Sequence, residues 1–168
     1  PYDDECTIRL SPGKMRNRLA SKIIQKDWNY VIDRTVKCPG EASEWVEVNV
    51  RGSIEKLLPL HVACCLDPPV AVIHALLKAD SEAISLRDAH GRLPLHLACD
   101  VERASPEVIR ILLEAYPEGA QVKETQFGFL PLHAACCNGE NMKVNSETQH
   151  KVIEQLLSVF PSAITEPE

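Results

Sequence analysis

The stretch LPLHLAC at Leu93–Cys99 decides the fold, because two close copies of it occur elsewhere in the 168-residue chain. The copies are LPLHVAC at Leu58–Cys64 and LPLHAAC at Leu130–Cys136, and the three histidines are 35 and then 37 residues apart. A segment that recurs at a nearly fixed interval of about 20 to 50 residues predicts one structural unit stacked on copies of itself. We therefore expect a repeat protein.

A second apolar stretch follows each copy and predicts an amphipathic helix. These stretches are VIHALL from Val72, VIRILL from Val108 and VIEQLL from Val152. Their apolar residues fall at positions i, i+1, i+4 and i+5, which lie on one face of a helix. Each unit is thus predicted to be a pair of helices, the first of which begins at the LPLH tetrapeptide.

Start and stop signals bound the second helices. Asp67 and Ser105 each precede a proline, which predicts an N-cap followed by proline at the first helical position. Ser146 has Gln149 three residues later, which predicts a capping box. Related segments end four such helices, namely Cys38–Ala42, Ala79–Ala83, Tyr116–Ala120 and Phe160–Ala163. Four endings and three tetrapeptides predict a further unit before Leu58.

The N-terminal unit has weaker signals than the others. Ser11 is predicted to begin a helix that carries Leu19 and Ile23, and Asp27 is predicted to cap a second helix. We expect residues 1–10 to be extended or disordered. Residues 11–168 are expected to form a single domain, with units at approximately residues 11–42, 58–83, 93–120 and 130–164.

Composition and charge indicate a globular protein and argue against a membrane span and a broad nucleic-acid-binding face. The chain has 45% hydrophobic and 25% charged residues, as an ordinary soluble globular protein does. No apolar run approaches the roughly 18 residues that a membrane span needs. The net charge of -6 argues against a protein that binds nucleic acid through a broad basic face.

The seven cysteines predict free thiols in a reducing compartment. Cys64 and Cys65 are adjacent, as are Cys136 and Cys137, and neighbouring cysteines rarely meet the geometry of a disulfide. We therefore expect a cytoplasmic protein, with the nucleus and an organellar stroma as open alternatives.

The tetrapeptide, the helix pairs and the short connections together resemble the ankyrin repeat. In that family a repeat starts with TPLH followed by an apolar residue and alanine, and here Ala63, Ala98 and Ala135 occupy the alanine position. The stretch Asp88–Ala98 also matches the aspartate and glycine of the preceding turn. The resemblance covers approximately residues 12–166. It implies an all-α ankyrin-repeat solenoid of about four helix pairs with projecting β-turns or hairpins.

The chain departs from the family pattern at the first position of the tetrapeptide. Leu58, Leu93 and Leu130 replace the family's threonine, whose hydroxyl helps to anchor the turn together with the repeat's histidine. Burial of a leucine contributes about 1.5–3 kcal/mol, so we expect leucine packing to take over this role. The hairpin before Leu58 runs from about Gly40 and lacks the family glycine.

The pattern His-x-x-Cys in each copy invites a metal-binding interpretation, because zinc takes both residue types as ligands. Equivalent residues of stacked repeats lie about 8–10 Å apart, so they form a ladder rather than a tetrahedral site. We expect the cysteines to act as small apolar residues and the histidines to hydrogen-bond neighbouring backbone. A Cys–His nucleophile pair would need an environment that stabilises the thiolate and a third orienting group, and no copy of the repeat offers anything that the others lack. We therefore expect no catalytic residue, no cofactor and no metal.

Candidate protein-binding residues lie in the connections and on the first helices. Phe127 and Phe129 flank Gly128 in one predicted turn, where exposed aromatic groups would anchor a partner. Alternatively, one of the two folds back over Leu130 as local core. The other candidates occupy turn tips or positions that face ligands in the family, and they are Leu66, Arg87, His90, Arg92, Asp100, Val101, Gln126 and Asn138.

A basic stripe is predicted on the first helix, because Lys14, Arg18, Lys22 and Lys26 recur every four residues. We favour the interpretation that this stripe is the solvated face of a terminal repeat, and the alternative is a contact surface for an acidic protein, an anionic lipid or RNA.

These features favour a non-catalytic protein–protein interaction module that binds another protein through its concave face and hairpin tips. The alternative is a structural subunit or interaction arm of a larger assembly or longer chain, since the chain begins at Pro1 and ends without a clear terminal cap. An enzyme ranks third, because it would need a pocket with perturbed titratable groups.

Overall fold

The computed structural model describes residues 8–10, 17–50, 52–100, 104–137 and 146–160. Within them lie three β-strands and eight α-helices, in the order β1 (Ile8–Leu10), α1 (Arg18–Ile24), α2 (Trp28–Lys37), β2 (Val46–Val50), β3 (Ser53–Leu57), α3 (Pro59–Cys64), α4 (Val70–Ala79), α5 (Pro94–Cys99), α6 (Pro106–Ala115), α7 (Pro131–Cys137) and α8 (Ser146–Val159). Short 3-10 helices at Pro39–Ser43, Glu82–Ile84 and Pro117–Gln121 follow α2, α4 and α6. The chain divides into two compact units, Pro1–Ala83 and Ile84–Glu168.

Side-chain caps fix where the first two helices begin. The Asn17 side chain accepts the backbone N–H of Ala20 at 2.8 Å, and its own backbone is extended, so α1 begins directly after it. The prediction that this helix starts at Ser11 is therefore wrong, and Ser11 itself lies outside the described residues. Asp27 accepts the N–H of Tyr30 at 3.4 Å, which confirms the predicted cap of α2.

The predicted basic stripe does not run along one helix. α1 ends before Lys26, which lies in the following turn with a φ of 55°. Lys22 donates to Asp27, and its ammonium group is 5.3 Å from the centre of the Tyr30 ring. The stripe is thus interrupted after Lys22, and Lys14 lies outside the described residues.

The first unit also contains a three-stranded antiparallel sheet in the order β1-β2-β3. β2 and β3 form a hairpin in which Val50 lies opposite Ser53. At its turn the Asn49 side chain accepts the N–H of Gly52, whose φ of 92° is readily adopted only by glycine. The hairpin predicted before Leu58 is confirmed. Its pairing with β1 corrects the all-α prediction, because the helix pairs are accompanied by a sheet.

α3 and α4 form the second helix pair of the first unit, where α3 packs against α1 and α4 packs against α2. Asp67 is not the N-cap of α4, because it lies in a turn with a φ of 50° and α4 begins only at Val70. The prediction fails because Pro68 would have to be the first helical residue, and a residue that precedes a proline is disfavoured in the helical region. Pro68 precedes Pro69, so the helix starts after both prolines.

In the second unit, α5 packs against α6 and α7, and α8 packs against α6 and α7. Ser105 accepts the N–H of Val108, and α6 begins at Pro106, which confirms the predicted cap. Gln149 of α8 donates its side-chain amide to the carbonyl of Ala135 in α7 at 2.9 Å. The predicted capping box also needs the side chain of Ser146, which lies outside the described part of the chain.

The longer helix of each pair ends where the sequence predicts. α2, α4, α6 and α8 end at or directly before the four terminating segments. The described residues thus contain four helix pairs, two in each unit. No helix in these residues is long and apolar enough to span a membrane.

Candidate functional site

Two of the repeated histidines bond to the backbone at the start of their own helix. Nδ1 of His96 accepts the N–H of Leu93 at 3.1 Å, and Nδ1 of His133 accepts the N–H of Leu130 at 3.0 Å. Nε2 of His96 lies 3.3 Å from the carbonyl oxygen of Phe129, to which its N–H donates in the neutral tautomer. The predicted role of these histidines as backbone partners is confirmed for both residues.

The leucine that begins each LPLH tetrapeptide is buried beside the repeated histidine. Leu58, Leu93 and Leu130, which stand where the family has threonine, are each at most 1% exposed. His61 is also buried, and its ring centre lies 5.9 Å from that of Trp45. The predicted burial of the three leucines is therefore confirmed.

An inward-facing aspartate organises the turn before α5. Oδ1 of Asp88 accepts the N–H of His90 at 2.9 Å and that of Arg92 at 2.8 Å, while Oδ2 accepts Nε of Arg92 at 2.7 Å. Gly91 completes the turn with a φ of 75°. The carboxylate of Asp88 is therefore occupied by the turn that follows it.

Glu124 does the same in the turn before α7. Its carboxylate accepts the N–H groups of Gln126 and Phe127, each at 2.6 Å, and that of Phe129 at 3.0 Å. Its own N–H donates to the carbonyl of Phe129, and Gly128 has a φ of 74°. This turn is one residue longer than the turn of Asp88, and the longer glutamate side chain reaches across it.

The pKa of the Glu124 carboxyl reflects this environment. Burial acts to raise the pKa, but the N–H donors of Phe129, Gln126 and Phe127 together outweigh it and hold the pKa below its usual range. Glu124 is therefore a charged group that is turned into the protein, and its charge stabilises the main chain of the turn.

We refer to residues 88–92 and 124–129 as the paired turns, because hydrogen bonds join them. Both the N–H and the hydroxyl of Thr125 donate to the carbonyl of His90, at 2.9 and 2.7 Å. Arg87, directly before the first turn, donates to the carbonyl of Lys123 at 3.2 Å. The two turns therefore present one continuous surface.

Aromatic side chains stand on the second of the paired turns. Phe127 is 68% exposed and Phe129 is 38% exposed. Their ring centres are 5.6 Å apart, and the Phe129 ring stacks on His133 of α7 at 5.4 Å with an angle of 20° between the planes. We call Phe127, Phe129 and His133 the aromatic cluster. Of the two predicted interpretations, exposure holds for Phe127, while Phe129 lies partly over the start of α7.

The sequence model of the family described as ankyrin repeats (3 copies) matches residues 60–159, from α3 to α8. The chain belongs to the ankyrin repeat family. No curated protein sequence matches the chain significantly. Ankyrin repeats are generally protein–protein interaction modules, and the family is typically non-enzymatic.

The remaining predicted site residues of this ankyrin-repeat chain fall into three groups. Arg87 and Gln126 are exposed on or beside the paired turns, and His90 and Arg92 are half-buried within them. Leu66 follows α3 and Asp100 follows α5, and both are half-buried. Val101 and Asn138 lie outside the described residues.

Three residues that hold the paired turns or the aromatic cluster in place are not among the predicted site residues, namely Glu124, Thr125 and His133. The signal for Glu124 lies in the alignment of the repeats, where it stands six residues before Leu130 as Asp88 stands five before Leu93. His133 is predicted only as a partner of backbone groups, and its stacking on Phe129 depends on ring orientations that the sequence does not specify.

The buried His96 and Cys99 lie in surroundings unlike those of a reactive pair. Burial, with smaller contributions from Asp100 and Cys136, raises the pKa of the Cys99 thiol well above its usual range. Burial also lowers the pKa of His96. Among the residues that the structure describes, no group of three or more His, Cys, Asp or Glu side chains is placed to hold a metal ion.

Proposed function

We propose that this ankyrin-repeat chain is a non-catalytic protein-binding module whose main contact is the aromatic cluster on the paired turns. The observation that carries the proposal is the exposure of Phe127 on a turn that is held by three N–H bonds to Glu124. A few aromatic side chains commonly dominate the binding energy of an interface.

Rigidity of the turn supports this assignment. A loop that is already ordered loses little conformational entropy when a partner binds, so more of the contact energy appears as affinity. The N–H bonds to Glu124 and the bonds from Thr125 to His90 restrict the turn before any partner is present. An apolar side chain of the partner can therefore pack on Phe127 without first ordering it.

The contact surface in this proposal extends beyond the aromatic cluster. Arg87 and Gln126 are exposed beside it and would lie at the polar rim of the interface. Asp100, at the end of α5, remains a proposed contact on the helical side of the second unit, and Leu66, at the end of α3, remains a separate proposed contact within the first unit. A partner would bury roughly 800 Å² on this surface if the interface has standard size.

The experiment places a photo-reactive benzoylphenylalanine at position 127 of the full chain and illuminates it in native lysate. The matched control carries the same group at position 36, because Val36 on α2 is also highly exposed and apolar. Mass spectrometry of the cross-linked products then identifies the proteins captured at each position.

A protein captured at position 127 and not at position 36, and lost from affinity capture in the Phe127→Ala/Phe129→Ala variant, supports the proposal. The variant must keep the wild-type circular dichroism and a cooperative unfolding transition. Capture of the same protein with the double variant would place the interface elsewhere on the chain. If neither position captures a protein, the alternative of a structural arm within a longer chain or assembly takes precedence.

A further inference from the structure

The stretches that contain the paired turns, residues 85–92 and 121–130, hold three cationic residues (Arg87, Arg92 and Lys123) and two acidic ones, whereas the whole chain has a net charge of -6. Residues 85–92 and 121–130 contain one acidic residue each, Asp88 and Glu124. Both carboxylates face inward, are nearly fully buried and accept backbone N–H groups of their own turns. The acidic side chains of these two stretches are therefore withdrawn from the surface.

Cationic side chains of the same stretches lie at the surface. Arg87 and Lys123 are exposed, and the backbone carbonyl of Lys123 accepts a bond from the Arg87 guanidinium, so the two residues lie side by side. Arg92 is half-buried and forms an ion pair with Asp88, so its positive charge is largely neutralised within the turn. The two hydrogen-bonded stretches therefore expose aromatic rings, on Phe127 and Phe129, as well as cationic side chains, on Arg87 and Lys123.

We propose that the segment recognised by the paired turns is an acidic peptide that carries an aromatic or leucine side chain. This inference rests on the proposed function and specifies the chemistry of the partner. The apolar side chain packs on Phe127 and Phe129, and flanking carboxylates face Arg87 and Lys123. Arginine suits this role because its planar guanidinium binds carboxylates through two parallel N–H groups.

Charge complementarity favours a peptide over nucleic acid. Aromatic rings beside cations also bind single-stranded nucleic acid, but such sites follow the phosphate backbone with a continuous basic groove. Here the cations are few, and the net charge of -6 repels a polyphosphate chain. A short acidic peptide can place its carboxylates close to Arg87 and Lys123. Because it is short, few of its negative charges lie near the acidic residues elsewhere in the chain, so it is repelled less than a polyphosphate chain.

The test is a selection from a random 16-residue peptide library displayed on phage, with the full chain immobilised. Enriched peptides are synthesised with a fluorescent label, and their affinities are measured by anisotropy at two salt concentrations. The variants are Phe127→Ala/Phe129→Ala and Arg87→Glu/Lys123→Glu. The charge control is Lys56→Glu/Lys78→Glu, which makes the same net change at exposed lysines of the first unit.

The expected result is enrichment of peptides with several Asp or Glu residues around an aromatic residue or leucine. Their affinity should fall about tenfold or more in Arg87→Glu/Lys123→Glu, and with rising salt, and should change little in the charge control. It should also be lost in Phe127→Ala/Phe129→Ala. Each variant is used only if its unfolding remains cooperative.

Other outcomes separate this inference from the proposed function. Neutral or basic peptides that still need Phe127 and Phe129 would overturn the acidic partner and leave the binding site in place. Peptides insensitive to both phenylalanines would overturn the inference and the site together. If no peptide is enriched, or if a labelled oligouridylate binds instead in a Phe127-dependent way, the acidic-peptide inference is wrong.

Discussion

The backbone N–H of Phe127 donates to the carboxylate of Glu124 over 2.6 Å, so a buried acid holds a largely exposed aromatic residue in place. The same oxygen, Oε1, also accepts the N–H of Phe129 at 3.0 Å. The position of both rings therefore depends on one side chain, which itself has almost no contact with solvent.

Replacing Glu124 with glutamine should destabilise the second unit. Glutamine offers one acceptor oxygen in place of two, and its NH2 group would face the N–H of Gln126. A buried donor that loses its acceptor costs about 1–3 kcal/mol, which we expect as the loss in the free energy of unfolding by urea. Glu118→Gln is the matched control, because Glu118 is exposed on a 3-10 helix. Equal effects of the two changes would contradict the role given to Glu124.

Alanine substitutions at Gly40, Gly91 and Gly128 should separate the effect of backbone strain on the free energy of unfolding from the effect of steric contact. Gly40→Ala should be nearly neutral, since no atom lies within 4 Å of an added Cβ and φ is not positive. Gly128→Ala should cost about 1–2 kcal/mol, because its φ of 74° disfavours a Cβ although the space is open. Gly91→Ala should cost more, because its Cβ would also lie 2.6 Å from Cγ2 of Thr125.

A second change tests the steric part of the Gly91 effect. Thr125→Ser removes Cγ2 and keeps the hydroxyl that donates to His90. In a double-mutant cycle measured by urea unfolding, it should recover part of the stability that Gly91→Ala loses. Strictly additive effects of the two substitutions would show that the contact between the turns is not tight.

The unfolding free energy should depend on pH through His96. Burial lowers the pKa of His96 below 6.5, although the carbonyls of Phe129 and Val122 and the carboxylates of Glu124 and Asp88 act in the opposite direction. The unfolded chain therefore binds a proton near pH 6.5 that the folded chain binds only at lower pH. Stability should be highest above pH 6.5 and fall below it, at no more than about 1.4 kcal/mol per pH unit.

The measurement is urea unfolding between pH 5.5 and 7.5 for wild type, His96→Asn and His74→Asn. Asparagine at position 96 retains an acceptor for the N–H of Leu93 but does not titrate, so its slope against pH should be flatter. His74 is exposed on α4 and serves as the control. A slope that His96→Asn leaves unchanged would assign the pH dependence to other groups.

Restoring the family threonine at position 93 should destabilise the protein. Leu93 is 1% exposed, and threonine would lose much of its buried apolar surface, at a cost of about 1.5–3 kcal/mol in the free energy of unfolding. Leu86→Thr is the matched control at a leucine that is 38% exposed, where we expect a change within about 0.5 kcal/mol. A stabilising Leu93→Thr would mean that the threonine hydroxyl outweighs leucine packing here.

Local signals in the sequence predict most of the helix boundaries. Ser105 and Asp27 are found as caps because the bonds they make lie within three residues, and the helix ends follow from the terminating segments. Asp67 fails for an equally local reason, the second proline at position 69. The expectation that residues 1–10 are extended or disordered agrees with the extended β1, but its pairing with β2, some 40 residues later, is missed because no local pattern encodes that contact.

The candidate site can be predicted only in part from the sequence. Phe127 is identified because aromatic residues beside a turn glycine stand out in a chain with three phenylalanines. Glu124 is missed because a charged residue in a turn is ordinarily solvated, whereas here the carboxylate faces inward and accepts three main-chain N–H groups. Whether an acidic side chain in a turn faces the main chain or the solvent depends on the direction of the backbone N–H groups around it, which the sequence alone does not specify.

Because Glu124 accepts main-chain N–H groups, its bonds do not depend on which side chains stand at positions 126, 127 and 129. These three positions can therefore be exchanged while the acid, the glycine and the bonds to His90 are kept. The turn is suited to randomisation in a combinatorial library. In natural descendants of this chain, duplication of the repeat followed by drift at the same three positions would alter the choice of partner without a new fold.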